Sequence, residues 1–437
     1  MRVRDLVIRN IASPYGVTGA ALLLFLVAIT FPPSLYNAYI QEPDLMFFDP
    51  ASILFFFLCG VGFVSGVFLV NFLFPVHGFR YERKETRISP TWFILLPLVA
   101  GIVLTVISII LLLRNNATIL QLLFALRGEQ LKTVGGIEAE DTLVQATPAL
   151  MGIVWWAIWR KDQLDIRGWR RFVVHFAVVV AVLDMMAWSV LMMTRGELMP
   201  IILGASILLL LRRFVKGKLT PPFIFKFASI LAGSIIALFV VFSLLRGTLD
   251  PVSIVANIFG YTIASYNRLA AILDGRLHYP FAGRGIYISG FVSFNRTFNR
   301  LFHINQMFSW PDFNTVWQSE FGAVDAAGLN GHLILGSTFG YVYSEIGWFA
   351  PLLLFVDGLI AGWAWRSLQL GNISGIIFYP WCVCFVLLWF GTNSLFDPTA
   401  VILLLVVIFL GVYELLLVRS PAKGRATMRE VSLLARS

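Results

Sequence analysis

Apolar residues fall in ten stretches along the chain, separated by short polar or charged connectors and by one long mixed segment. The stretches lie near 12–32, 50–74, 91–113, 143–160, 172–193, 197–211, 223–245, 339–365, 373–396 and 399–418. A helix needs about 20 mostly apolar residues to cross the hydrocarbon core of a bilayer, so the pattern predicts an all-α polytopic membrane protein with about ten transmembrane helices. The stretch at 197–211 is short for that task, and local thinning of the bilayer or an extension through Arg195 would accommodate it. The first stretch is expected to remain as a span, because Phe31-Pro32-Pro33-Ser34 stands where a cleavable signal would carry small residues. The expected layout is therefore seven spans in 1–245, a large folded loop with short interfacial helices over 246–338, three spans in 339–418 and a basic tail over 419–437.

Composition supports this reading. The 437 residues are 58% hydrophobic and 13% charged, with a mean hydropathy of +0.82, which is more apolar surface than one soluble core can hide. A net charge of +9 would suggest nucleic acid in a soluble protein. Here the basic residues follow the connectors, and no nucleic-acid partner is expected. Placing alternate connectors on opposite sides puts 22 Lys and Arg on the side of both termini and ten on the other, with Lys226 at the start of a span. Excess positive charge marks the cytoplasmic side, so both termini are expected there and the loop 246–338 outside. Cys59, Cys382 and Cys384 sit in apolar runs and the five histidines are scattered, so neither a metal nor a cofactor is expected.

The ten basic residues on the far side change the picture. The first far-side connector holds Glu42, Asp44 and Asp49 and no Lys or Arg. The later ones hold arginines in a repeated setting: Arg127-Gly128, Arg195-Gly196 and Arg246-Gly247, with Gly283-Arg284-Gly285 inside the long loop. A single arginine at a span end can snorkel to headgroup phosphates. The recurrence points further, because Gly lets backbone approach a ligand and Arg grips phosphate with two prongs, and together these read as a diphosphate site.

Within the long loop, Pro251 to Leu273 alternates apolar and polar residues at helical spacing, predicting one or two short helices at the interface or dipping into the bundle. Phe291 to Phe308 mixes Arg296, Arg300 and His303 with phenylalanines, a surface suited to a sugar chain beside lipid or to a helix packed on its own protein. Asp184, Glu345, Asp357 and Asp397 fall in or beside spans, where ionisable residues are costly and mark function or helix-to-helix bonding.

At Gly336-Ser337-Thr338-Phe339-Gly340-Tyr341-Val342-Tyr343-Ser344-Glu345-Ile346-Gly347-Trp348 the chain resembles the segment after the large periplasmic loop of bacterial O-antigen (Wzy-type) and other oligosaccharide repeat unit polymerases. Thr194-Arg195-Gly196-Glu197-Leu198 looks like the Arg-containing span junction of that family, and Tyr261 to Asn267 looks like its loop-entrance motif. The resemblance covers roughly 190 to 347, and the N-terminal half is similar only in hydropathy. In the related O-antigen ligases a His and an amide residue stand near the end of the loop, and Asn330-Gly331-His332 is a loose match.

The resemblance implies an inverting glycosyltransferase of GT-C-like architecture in the bacterial inner membrane, acting at the periplasmic face on undecaprenyl-diphosphate-linked oligosaccharide, with membrane lipids and a chain-length regulator as partners. Chemistry of that kind needs diphosphate charge stabilised as the glycosyl bond breaks, and arginines can supply this. Arg195 and Arg246 are the expected charge stabilisers, His332 and Glu345 the expected bases, and Arg127, Arg284, Arg268, Tyr261 and Tyr266 the expected substrate contacts. A ligase sharing the donor, or a flippase for lipid-linked glycans, are the rival readings.

Overall fold

The computed structural model describes residues 11–76, 78–79, 84–128, 130–131, 133–134, 146–164, 166–194, 196–247, 250–391 and 394–418. Helices account for the regular structure among them, and the one β-type contact is an isolated bridge between Thr86 and Val418. In chain order the helices are α1 (Pro14–Ile29), α2 (Pro33–Ile40), α3 (Pro50–Leu73), α4 (Pro90–Asn115), α5 (Thr118–Phe124), α6 (Ala146–Arg160), α7 (Gly168–Leu191), α8 (Leu198–Val215) and α9 (Pro221–Leu245). The long loop contributes α10 (Pro251–Leu273), α11 (Gly290–Ser293), α12 (Arg296–Phe302), α13 (Ile304–Phe308) and α14 (Phe313–Ala326). The chain closes with α15 (Ser337–Ile346), α16 (Ala350–Gln369), α17 (Ile373–Leu387) and α18 (Pro398–Leu417). Seven of these helices begin on proline, whose fixed φ suits the first turn and whose missing N–H costs nothing there. Asp49 and Asp397 add side-chain caps, accepting from Ser52 N and Thr399 N at 2.8 Å each.

Among the described residues, seven helical segments are long and apolar enough to cross a membrane: α3, α4, α7, α8, α9, the pair α15–α16 taken as one, and α18. Each of the ten expected stretches holds a helix, and three of them depart from a simple span. The first is bent by 89° between α1 and α2, where Pro32 and Pro33 interrupt the backbone ladder. The fourth and ninth, α6 and α17, are 15 residues each. Both are buried on nearly every side, from Leu150 to Arg160 and from Gly375 to Val386 with the single exception of Phe378. A helix sheathed by neighbouring helices faces protein rather than lipid and is not held to the bilayer's thickness.

The closest packing joins α3 to α16. Gly62 and Gly66 on one helix and Gly358 and Gly362 on the other repeat at four-residue spacing, the small-residue pattern that lets helix backbones touch. A Cβ on Gly66 would lie 2.1 Å from Phe355 O, and one on Gly358 would lie 2.0 Å from Phe63 O. Asp357, beside that seam, is fully buried and neither of its carboxylate oxygens has a hydrogen-bond partner among the described residues.

The bundle has two distinct ends. At one, Glu414 accepts from Arg160 Nε (2.6 Å), Trp156 Nε1 (2.7 Å) and Lys84, while Asp162 pairs with Arg212 (2.7 Å) and Lys216 (2.5 Å). The long loop occupies the other end. There α10 is one continuous helix whose half from Ile263 to Ile272 is buried all round, against α15, α1 and α2. The rest of the loop closes a small core of its own, in which Ile286, Val316, Val324, Leu329 and Ile334 pack with Tyr279, Tyr287 and Tyr341.

Candidate functional site at the loop end of the bundle

The Arg127-Gly128 and Arg246-Gly247 turns meet at the end of α7. Arg246, half-buried at the end of α9, donates from Nη2 to Met193 O at 3.0 Å, just before Thr194-Arg195 at the end of α7. Gly128 packs into the same place, where a Cβ would stand 2.5 Å from Met193 Cε, 2.9 Å from Arg246 Cγ and 2.9 Å from Leu245 O. A Cβ on Gly247 would meet Leu126 O at 3.6 Å. So the turns after α5, α7 and α9 meet within van der Waals contact, with the Arg127 side chain exposed. Arg195 itself lies outside the described residues.

Left-handed backbone accompanies each turn. Leu126 has φ +53°, Met193 +51° and Gly247 +79°. Side-chain-bearing residues seldom hold such angles, and strain of this kind gathers at ligand clamps. Two buried hydroxyls lacking a hydrogen-bond partner among the described residues lie on the same helices, Ser189 Oγ on α7 and Ser243 Oγ on α9. Glu197 precedes α8, and burial pushes its carboxyl up to about 7, helped by the nearby Asp397 carboxyl and opposed by Thr194. Burial also raises the carboxyl of Asp397, against its bonds from Thr399. Arg246 and the exposed Arg127, carried on touching turns beside the end of α7, offer two cations, which suits an anionic ligand.

Arg268 has a different setting. Its guanidinium is fully buried and grips Glu42 with two prongs, Nη1 to Oε1 and Nη2 to Oε2 at 2.7 Å. Glu42 also accepts from Tyr36 OH, Asn267 Nδ2 (3.0 Å) and Asn330 N (2.7 Å). Asn267 closes the knot by accepting from Leu45 N at 2.7 Å and donating to Pro43 O at 2.9 Å. The network ties the acidic first connector to α10 and to the end of the long loop.

Glu345 and Arg284 form a third group. Both carboxylate oxygens of Glu345, near the end of α15, accept backbone N–H bonds across the turn, from Gly285 (2.7 Å) and Tyr287 (2.8 Å). The bonds hold Gly283 and Gly285 at φ +76° and +77° and present Arg284 outward, its guanidinium 5.4 Å from the Phe281 ring. Beneath the turn, Tyr341 OH donates to Glu320 at 3.0 Å. Burial raises the Glu320 carboxyl to about 7, against the pull of Tyr287 and Tyr341.

The remaining candidates stand apart. His332 is exposed two residues beyond Asn330, to whose side-chain oxygen its backbone N–H donates at 3.1 Å. Tyr266 lies in the bundle core, edge-on to Phe25 at 5.1 Å. Tyr261 is half-buried against Phe239, ring centroids 6.0 Å apart. Sequence reasoning left Glu197, Glu42 and Glu320 off the site; Glu197 sits two residues after Arg195, and that spacing was the available signal. The chain matches no protein-family model, no curated protein and no solved structure.

Proposed function

We propose that the chain is a membrane glycosyltransferase that polymerises undecaprenyl-diphosphate-linked oligosaccharide repeat units at the periplasmic face of the bacterial inner membrane, with both termini cytoplasmic. The observation that supports this reading most is the contact of the Arg127-Gly128 and Arg246-Gly247 turns with each other and with Met193 at the end of α7. In the proposed reaction Arg127, Arg195 and Arg246 take up the charge of the departing diphosphate as its bond to the donor sugar's anomeric carbon breaks. The acceptor hydroxyl forms the new bond from the opposite face, inverting the configuration. Its proton passes to Glu197, whose carboxyl titrates near neutral pH. Glu345 then serves as the anchor of the Arg284 turn, and that turn, with the loop around it, receives the oligosaccharide. Arg268 serves as the structural tie that keeps the loop over the site. The proposed architecture is GT-C-like, with a chain-length regulator as partner.

The test is deletion of the gene followed by glycan-length analysis. Loss of this activity leaves lipid-linked single repeats outside the inner membrane, and restoring the chain restores the ladder. Accumulation of full-length lipid-linked polymer would instead identify a ligase, and absence of any repeat at the outer face a flippase.

A further inference from the structure

We infer that the two short helices α12 and α13 form a membrane anchor of the long loop, seated in the headgroup region of the leaflet at the loop end and recognising anionic phospholipid. Four large apolar side chains on these helices face outward: Leu301 is 66% exposed, Phe302 60%, Met307 73% and Phe308 60%. Residues of this size projecting together from an aqueous domain mark an interaction surface. The helices are bounded by sharp corners at His303 (φ +52°) and Ser309 (φ +53°), which fold the chain into a compact projection.

Position and charge identify the occupant. The neighbouring α11 rests on the short turn that leads into the spanning helix α18: a Cβ on Gly290 would lie 3.0 Å from Phe396 O, and the Phe291 and Phe396 rings are 6.0 Å apart. Farther along α18, Leu404, Leu405, Ile408 and Phe409 are exposed and apolar, a surface for lipid. The projection is thus continuous with the membrane-facing wall of the bundle. From Gly275 to Pro311 the sequence holds four arginines, Arg276, Arg284, Arg296 and Arg300, and no acidic residue. Arg276 lies 3.8 Å from Asp274, and the segment keeps a net positive charge; apolar side chains combined with net positive charge are what bind an interfacial helix to anionic lipid. The anchor is tied to the candidate site: the Phe308 ring stacks on Trp310 at 4.8 Å, and Trp310 Nε1 donates to Arg284 O at 2.9 Å. Seating the helices in the leaflet sets the Arg284 turn at headgroup depth.

The full chain in nanodiscs loaded with one copy each, made from phosphatidylglycerol and phosphatidylcholine, gives the test. Met307→Cys and, separately, Leu301→Cys are labelled with a polarity-sensitive fluorophore; the native cysteines are buried and remain unlabelled. Asp274→Cys, at a side chain 44% exposed in the same loop, is the aqueous control. The expected result is blue-shifted emission at 307 and 301 with quenching by lipids carrying a nitroxide near the headgroup, and neither effect at 274. Water-like, unquenched emission at both 307 and 301 would overturn the inference. So would a blue shift that appears only in discs holding two copies, which would assign the surface to self-association.

Discussion

Two arginines at the same end of the bundle have opposite fates. Arg268 is buried against Glu42 in a network that also takes in Tyr36, Asn267 and Asn330. Arg246, half-buried, donates one N–H to the Met193 carbonyl and packs against Gly128. A buried charge is tolerable when its partner and surrounding donors satisfy it, and removing one member then leaves the other stranded. A half-buried guanidinium with N–H groups left to donate can gain by binding an anion. The comparison separates an arginine that builds the protein from the one proposed to take a ligand, although in the sequence both are single arginines beside apolar helices.

The sharpest way to break the comparison is to open the knot. Arg268→Ala leaves Glu42 buried and unpaired and is expected to cost about 3–5 kcal/mol, read as lowered thermal stability and lost hydrogen-exchange protection in Pro251–Leu273. Arg246→Lys should leave folding intact and cut polymerisation, since Lys keeps the charge and loses the two-pronged grip; a loss on the order of 2–5 kcal/mol corresponds to roughly 30-fold to several thousand-fold in rate. Arg114→Lys, at an exposed position in the last turn of α4, should change neither.

Acidity tests the loop core. The Glu320 carboxyl is raised from 4.5 to about 7 in the fold, so the neutral form is favoured there and its contribution is full below 4.5. That contribution is lost as pH rises through about 7, a linkage worth on the order of 3 kcal/mol when complete. Thermal unfolding should therefore show the loop core weakening on the alkaline side of neutral. Glu320→Gln, which keeps an acceptor for Tyr341, should remove this pH dependence. Gly128→Ala has the smallest expected effect, about 1–3 kcal/mol from forcing a methyl against Leu245 O and Arg246. It should lower activity more than stability, because the displaced group is the candidate ligand arginine.

The helices were legible because apolar runs of the right length have few other uses, and each expected stretch became a helix. Run length could not show that α6 and α17 are sheathed by protein, since burial by neighbours and burial by lipid select the same residues. The glycine spacing at Gly62 and Gly66 and at Gly358 and Gly362 was open to reading and marks the tightest helix pair. At the site, the Arg-Gly recurrence located three turns, while their meeting is tertiary. The Arg268–Glu42 pair joins residues 226 positions apart, a link that no local periodicity can reveal. The burial of Tyr266 among Phe25 and Phe56 likewise depends on helices distant in sequence.

Direct titration of the purified chain with undecaprenyl diphosphate, in single-copy nanodiscs, tests the central claim that the converging arginine turns hold a diphosphate. Saturable binding is expected, weakened by at least about tenfold in Arg246→Lys, or about 1.4 kcal/mol, and unchanged in Arg114→Lys. Equal affinity for wild type and Arg246→Lys would contradict that claim and return Arg246 to the role of a headgroup-facing cation.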